Sequence, residues 1–368
     1  YTIPRDTPFR LTASGSDANG DALTYCWEQY DLGAATPPPN MADGPLFRSF
    51  NPTASAARYF PALPSVLSGA SSSWERLPTV DRTMNFRCTV RDNRAGGGGV
   101  NYDAMVVTVS GSPFAVTYPN GGETLWAGEP ATVTWDVGGG SVAANVNILY
   151  SSDGGANFST LAANVPNDGS HPVTIPCTVT TDARILIEAV GNIFFDVSDS
   201  DFFVQTNAPD VAVNVVGGNV DDACEYLVTF SGSVTDGGGV LAADVDVEVT
   251  LTTGNATLGT PTVNKVQTNG TTVTVTGSVL VSDLTGSPAT VRVRIEGTDN
   301  CGTYASLAEE GDVNDVTPPV ITCPEPIVVE CTEHGGTPAD DPQLIPFFGG
   351  VSATDNCDSD PDIANDAP

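Results

Sequence analysis

Apolar and polar residues alternate with a period of two along the whole chain, and this pattern limits what the chain can fold into. The alternation is found at residues 106–109, 146–150, 185–188, 245–249, 272–275 and 291–295. A half-buried strand requires it, because successive side chains point to opposite faces of a sheet. We find no convincing amphipathic helix, and 38 Gly and 28 Pro residues suit short strands joined by many turns. The sequence therefore predicts an all-β protein.

The 368 residues exceed a single ordinary core, and proline-rich or polar joints divide them into modules. We expect tandem Ig-like or fibronectin-like β-sandwiches at 1–111, 112–206 and 207–315, followed by a partial module at 316–368. A long insertion at 39–78 is rich in Pro, Ser and Ala and has few strand signals. Such a loop is either functional or a packed cover. We expect a cover on its own sandwich, because its aromatic side chains need burial.

The charge balance restricts the partners of the chain. Asp and Glu number 45 against 13 Lys and Arg, so the net charge is −32. Such a surface repels nucleic acid and anionic lipid, and no apolar run approaches the roughly 20 residues of a membrane helix. It attracts divalent cations, although simple solubility outside a cell also explains it. Other copies of the chain, a cell-surface protein or a glycan are the expected partners.

Eight cysteines are spaced singly along β-rich sequence, with only two histidines to complete a zinc site. This spacing favours disulfides and hence a secreted protein in an oxidising compartment. Cys26 and Cys88 lie in two strands of the first module and suit an internal disulfide. Cys224 and Cys301 bracket the third module in the same way.

Calcium is the sharpest chemical expectation. Asp17, Asn19 and Asp21 place oxygen-bearing side chains on alternate residues of a tight glycine turn. Ca²⁺ takes six to eight such oxygens, and Asp92, at the end of a predicted strand, could add one from a neighbouring loop. The alternative is an ordinary turn without a metal. No Glu follows at the spacing of an EF-hand, so that type of loop is excluded.

Several sequence blocks between residue 1 and about 205 resemble a known family. The blocks are YTIP at 1–4, TYCWEQYD at 24–31, GPLFRSF at 44–50, RTMNFR at 82–87 and EAVGNIFFD at 188–196. They are similar to segments of secreted Bacteroidetes proteins related to reprolysin-like zinc metallopeptidases. The resemblance implies Ig-like accessory modules, which in that family lie downstream of the protease domain. The second module is also similar to KNH-like cell-wall modules, through PNGGET at 119–124 and SDGG at 152–155.

The tail resembles the first half of a hyalin (HYR) repeat, an adhesion module, through TPPVITCP at 317–324 and ATDNC at 353–357. This resemblance implies that Cys331 pairs with Cys357 and that Cys323 pairs with a cysteine beyond Pro368. Cys177 would then be a buried thiol, unless it pairs with Cys323.

The segment before the tail resembles a cadherin linker. In such linkers, acidic residues stiffen a domain junction by binding calcium. The residues that carry this weaker calcium expectation are Asp312, Asn314 and Asp315.

No catalytic machinery is recognisable, so we expect no enzyme. A zincin needs His-Glu-x-x-His on a helix, and neither His171 nor His334 has that context. No G-x-S-x-G elbow is present, and nothing singles out a pair among the 45 acidic residues. Trp74, in the insertion, is the one tryptophan we would test for glycan stacking.

The sequence thus favours a structural or adhesive region, a stalk or fibre subunit of a bacterial cell-surface protein. Two alternatives remain: an accessory region that positions substrate for a secreted metallopeptidase, and an array of carbohydrate-binding modules. Both ends of the chain are expected to be partial modules. Open sheet edges accept strands from other chains, so a homopolymer joined by strand exchange is a further expectation.

Overall fold

A computed structural model describes residues 1–33, 41–70, 72–139, 142–285, 288–330, 334, 336–337 and 340–364. The chain divides into two compact units, Tyr1–Asn207 and Ala208–Pro368. Strands dominate both units, as the alternating pattern predicts. Among the described residues, neither helix has the length and apolar character of a membrane span.

The described part of the first unit contains fifteen strands and one short helix. They are β1 Thr2–Ile3, β2 Phe9–Thr12, β3 Thr24–Gln29, β4 Ala57–Phe60, α1 Leu63–Ser68, β5 Arg82–Arg91, β6 Val100–Val109, β7 Phe114–Tyr118, β8 Thr124–Trp126, β9 Pro130–Val137, β10 Asn145–Ser151, β11 Ser159–Pro166, β12 Ser170–Thr174, β13 Thr180–Ala189, β14 Phe195–Val197 and β15 Phe202–Gln205.

The second unit contains eleven strands and a helix of one turn. They are β16 Asp210–Val216, β17 Gly218–Asn219, β18 Tyr226–Thr235, β19 Val240–Thr253, β20 Thr257–Leu258, β21 Thr262–Asn269, β22 Thr272–Ser282, β23 Ala289–Asp299, β24 Tyr304–Asn314, β25 Val320–Thr322, α2 Ile345–Phe348 and β26 Ser352–Thr354. All six segments of alternating sequence lie in strands, namely β6, β10, β13, β19, β22 and β23.

The first sandwich packs a four-stranded sheet, in the order β1-β6-β5-β3, on the two-stranded sheet β2-β4. Aromatic rings fill its core. Phe9 stacks on Phe60 with ring centroids 5.1 Å apart. Phe47 and Phe86 each contact both of these rings edge-on, and they are tilted against each other. Phe47 and Phe60 belong to the predicted insertion. That part of the insertion therefore covers its own sandwich, as expected from its aromatic residues.

The second sandwich packs a six-stranded sheet on a three-stranded one. The larger sheet has the order β11-β10-β13-β15-β8, with β14 also paired to β13, and the smaller has the order β12-β9-β7. Its core is aliphatic and aromatic, with Val133, Ile148, Ile187 and Phe202 fully buried.

Backbone pairing joins the two sandwiches of the first unit. On the edge of β2 away from β4, the Arg10 N–H donates to the Ile193 carbonyl at 2.8 Å, and the Phe195 N–H donates to the Pro8 carbonyl at 3.0 Å. Phe194 packs on Phe114 below this pairing, with ring centroids 5.0 Å apart. The second sandwich thus supplies a strand segment to a sheet of the first.

Helix α1 corrects the expectation that the whole insertion covers its own sandwich. Its side chains at Leu63, Val66 and Leu67 pack on a buried cluster of the second sandwich that is formed by Leu186, Phe195 and Val197. Apolar residues three and four apart form one helix face, and this face is buried wherever the nearest apolar surface lies. The short helix itself was not predicted.

The third sandwich forms most of the second unit. One sheet has the order β16-β18-β22-β20, with β21 also paired to β22, and the other has the order β17-β24-β23-β19. Valine dominates its core, since every second residue of β22 and β23 points inward. The following segment adds only the two-stranded sheet β25-β26 and the turn of helix α2.

Candidate functional site

The carboxylates of Asp17, Asp21 and Asp92 form a cluster at one end of the first sandwich. Their oxygens lie within 4.8 Å of one another. Asp17 and Asp21 lie in the loop before β3, and Asp92 directly follows β5. Because β3 and β5 are antiparallel, with Thr24 opposite Arg91, the start of β3 and the end of β5 meet at the same end of the sheet.

Backbone donors hold the Asp17 side chain in place. Its Oδ1 accepts hydrogen bonds from the Asp21 N–H at 3.0 Å and the Asn19 N–H at 2.8 Å. These bonds keep the pKa of Asp17 below its usual range. Asn19 lies in the turn between the two aspartates, and its side chain is exposed. The loop is therefore held around the ionised carboxylate of Asp17 by its own backbone.

A resident cation already contacts this cluster. The Arg94 guanidinium lies 3.4 Å from Asp21 Oδ2, and Asp92 accepts the N–H groups of Gly99 and Arg94 at 2.8 and 3.2 Å. Three carboxylates supply part of the six to eight oxygens that calcium takes, so backbone carbonyls and water must supply the rest. Metal binding here requires Arg94 to move aside.

The second predicted calcium group is divided by the structure. The Oδ1 atom of Asp312 accepts a hydrogen bond from the Thr290 hydroxyl at 2.8 Å, on the surface of the β23-β24 sheet. Asp315 instead clusters with Asp355 and Cys357. Asn314 ends β24 beside Asn219.

The cluster around Asp315 offers two carboxylates. The sulfur of Cys357 is in a disulfide and is not available as a thiolate. Hydrogen bonds from the N–H groups of Cys357 and Asp358 lower the pKa of Asp355. Sequence reasoning missed Asp355, because it lies 40 positions from Asp315 and only the fold brings the two together.

The disulfide pattern differs from the prediction. Cys224 is bonded to Cys357, with Cα atoms 5.3 Å apart, and not to Cys301. This bond also excludes the pairing of Cys357 with Cys331, a residue that lies outside the described part of the chain. The reason is that β25-β26 returns the tail to the end of the third sandwich, beside the turn that carries Cys224.

Two further cysteines were assigned wrongly. Cys177 is disulfide-bonded and is not a buried thiol. Cys301 is also disulfide-bonded, but its partner is not Cys224. Cys323 is a free, exposed thiol, so the alternative link between Cys177 and Cys323 is also wrong.

Cys26 and Cys88 are free and buried, so the disulfide predicted within the first module is wrong as well. The register explains why. Trp27 lies opposite Cys88 and Cys26 lies opposite Thr89, which places the two sulfurs on opposite faces of the sheet. Burial raises the pKa of Cys88 to about 11 and raises that of Cys26, where Glu28 adds to the effect. Both thiols are therefore poor nucleophiles.

Trp74, the candidate for glycan stacking, is 38% exposed in the insertion. The guanidinium of Arg48 lies 3.7 Å from its ring centroid and covers one face of the indole. A sugar ring would have to use the opposite face or displace Arg48. Glycan binding at Trp74 stays a prediction.

A buried carboxyl in the second sandwich carried no signal in the sequence. Asp196 lies on β14, and its Oδ2 accepts a hydrogen bond from the Val116 N–H at 2.8 Å. Burial raises its pKa from 3.8 to about 7, and the nearby charges of Asp199 and Asp6 add to the rise. This carboxyl therefore titrates near neutral pH.

Comparison with known proteins identifies no family, since no family model and no curated protein matches the chain. Solved structures with similar folds include an ectodomain fragment of ICAM-5, at 13% identity, covering 89% of this chain and 78% of that one, with a TM-score of 0.22. A tandem from titin is 9% identical, with coverages of 86% and 95% and a TM-score of 0.24. Fibronectin domains of chicken CNTN1 are 10% identical, with coverages of 83% and 94% and a TM-score of 0.22.

These similarities concern the class of fold alone. The paired sheets described above make the chain an all-β tandem of Ig-like or fibronectin-like sandwiches. The resemblances to peptidase-associated, KNH-like and HYR modules stay predictions.

Proposed function

We propose that the chain is a non-catalytic structural and adhesive region of a secreted protein, a stalk or fibre subunit at a bacterial cell surface. One observation carries the proposal: the first two sandwiches share backbone pairing at β2 and a common apolar cluster under α1. A flexible linker would let two sandwiches move independently, whereas shared pairing resists bending. A rigid element of this kind suits spacing and transmission of force.

Single-molecule pulling tests the proposal. If Tyr1–Asn207 acts as one mechanical element, it unfolds in a single event that releases about 70 nm of chain, from roughly 3.4 Å per residue. Two independent sandwiches would unfold in two events of about half that length, and this outcome would contradict the proposal.

A pair of variants tests whether the single unfolding event depends on the joint, that is, on the contact between the two sandwiches at β2 and under α1. Leu67→Asp places a charge in the cluster between α1 and the second sandwich, so the single event should divide into two. Leu227→Asp, at an exposed position of the second unit, makes the same chemical change elsewhere and should leave the event intact.

Self-association is the adhesive part of the proposal. Its support is the number of exposed apolar side chains on strand edges, together with an uneven distribution of charge. Residues 1–111 hold nine of the 13 basic residues and ten of the 45 acidic ones, so the first sandwich is nearly neutral and the rest of the chain is strongly acidic. A contact that involves the nearly neutral first sandwich is thus less repulsive than a contact between two acidic parts. Assemblies that grow with concentration in sedimentation velocity support this part, and a strict monomer contradicts it.

Calcium belongs to the same proposal as a stiffening ligand. The cluster of Asp17, Asp21 and Asp92 is its proposed site, because these carboxylates converge from two loops of an acidic protein. Asp315 and Asp355 form a second, poorer site. Bound Ca²⁺ would fix the two loops of the first sandwich relative to each other.

A further inference from the structure

Among the described residues, one edge of the first sandwich is open along most of β6. β5 pairs with β6 over its whole length on one side, but β1 covers only Thr108 and Val109 on the other. Even-numbered residues of β6 point their backbone groups toward β1: the Thr108 N–H donates to the Tyr1 carbonyl at 2.8 Å, and the Val106 carbonyl accepts from the Tyr1 amino group at 3.2 Å. Strand geometry extends this parity to the earlier even-numbered residues.

The open part of the edge is capped only by its own side chains. The N–H groups of Tyr102 and Ala104 donate to the side chains of Asn101 and Asp103, at 2.9 and 2.8 Å. Among the described residues, no strand pairs with Tyr102 or Ala104 on this side. A local cap of this kind can be exchanged for a ladder bond, because each involves one N–H and one oxygen.

Exposed apolar side chains line the same edge. Val100, Tyr102 and Val106 project from one face of β6 and are at least half exposed, Tyr102 at 60%. The Arg87 guanidinium lies 4.4 Å from the Tyr102 ring centroid, so this face also carries a positive charge. A long, open, apolar edge strand is the surface to which another chain adds.

The second unit contains a segment that pairs with no strand among the described residues. Residues 323–330 follow β25, and in the described chain they join no ladder, helix or turn. The apolar side chains of Ile327 and Val328 are exposed there, Val328 completely. Glu325 and Glu330 flank them, and residues 316–368 hold ten acidic residues and no basic one. The segment is thus an acidic stretch of chain with an unburied apolar centre.

We propose that residues 326–330 of one copy add as a strand to the open edge of β6 in a second copy. This inference rests on the self-association proposed above and identifies its two surfaces. The added strand would bond to the outward groups of Tyr102 and Ala104, bury Val328 against the apolar row, and bring Glu330 toward Arg87. Each copy carries one edge and one segment, so the contact is head-to-tail and repeats from copy to copy, into a closed ring or an open filament.

Two single variants test the surfaces by sedimentation velocity of the full chain. Val328→Asp places a charge at the centre of the segment. Ala104→Pro removes an N–H that points away from β5, so the sheet loses no internal bond. We expect the parent chain to form species that grow with concentration, and each variant alone to remain monomeric. Val266→Asp, at a half-exposed position of edge strand β21, should assemble like the parent.

Mixing the two variants gives the sharper result. Val328→Asp keeps an intact edge and Ala104→Pro keeps an intact segment, so an equimolar mixture should form one-to-one dimers that cannot extend. Tyr102→Glu should also abolish assembly, because it places a negative charge on the edge that repels the acidic segment. It leaves the backbone N–H groups unchanged. It replaces Ala104→Pro if circular dichroism shows that the proline variant unfolds.

The outcomes separate this inference from the proposed function. A parent chain that stays monomeric at every concentration contradicts both. A parent that assembles while Val328→Asp and both edge variants assemble equally well overturns the pairing of segment and edge, and leaves self-association through another surface.

Discussion

Replacing Asp196 by Asn should remove a pH-dependent instability from the first unit. The carboxyl is buried on β14, and its pKa of about 7 is raised mainly by burial, against the usual 3.8. The raised value means that the folded protein binds the proton more tightly than the unfolded chain does. Protonated Asp196 is therefore compatible with the fold, whereas the ionised form opposes it.

The sign and size of the effect follow from linkage. Between pH 3.8 and 7 the unfolded chain ionises Asp196 while the folded protein keeps it protonated, so stability falls as the pH rises through this window. Well above pH 7 both states are ionised and the loss is complete. A shift of this size corresponds to about 4 kcal/mol in total, of which the larger part, about 3 kcal/mol, is lost between pH 5 and pH 8. Asn cannot ionise, so the variant does not suffer this loss.

Chemical denaturation followed by tryptophan fluorescence measures the effect in the right place. All four tryptophans lie in Tyr1–Asn207, so the signal reports the first unit alone. The free energy of unfolding of the parent, minus that of Asp196→Asn, should fall by about 3 kcal/mol from pH 5 to pH 8. Other carboxyls with altered pKa values, such as Asp153 at about 2, cancel in this difference. A difference that stays constant over this range would refute the reasoning.

Three further predictions concern the ligand, the disulfide and the joint. Calorimetric titration with Ca²⁺ should give heat of binding that Asp21→Ala abolishes, and a parent chain that gives no heat has no such site. Cys224→Ser should lower the free energy of unfolding of the second unit by about 2–5 kcal/mol, measured by circular dichroism in urea; an unchanged midpoint contradicts this. Gly155→Ala should destabilise the first unit by about 1–3 kcal/mol, because the new Cβ would lie 2.5 Å from Leu67. Gly154→Ala, also at positive φ but with open space around it, isolates the backbone strain and should cost less.

The strands could be predicted because their signal is local. In β23, burial alternates along Ala289–Asp299 almost without interruption, and the sequence shows the same alternation as Val-Arg-Val-Arg-Ile. Helix α1 could not be predicted in this way, because six residues are too short for a periodic pattern to stand out. Its destination on the second sandwich depends on contacts that are remote in the chain.

Cysteine pairing failed for a related reason. Two cysteines in neighbouring strands look like partners in a sequence, yet the register decides whether they share a face. Shifting β3 by one residue against β5 would bring Cys26 opposite Cys88, whereas the actual register puts Trp27 there. The sequence contains no information that separates these two registers at the level of pattern.

The candidate calcium cluster was partly predictable, since Asp17 and Asp21 are neighbours in one turn. Asp92 could be added because the predicted strand before it was expected to end near that turn. Asp355 and Asp196 could not be found, because an acidic residue that is buried or paired by the fold looks like any other of the 45. What distinguishes Asp196 is its surroundings, and these are set by the packing around β14.

The joint also decides what counts as an independent domain in the first unit. A boundary near residue 111 falls between β6 and β7, where one sheet ends and another begins. However, the sheet that contains β2 has only two strands from its own module, and residues 193–195 close its other edge. Cutting the chain near residue 111 would leave that edge of β2 unpaired and remove the apolar surface under α1. Residues 1–111 alone should therefore be less stable than the same residues within Tyr1–Asn207, where residues 193–195 pair with β2 and the apolar surface under α1 is present.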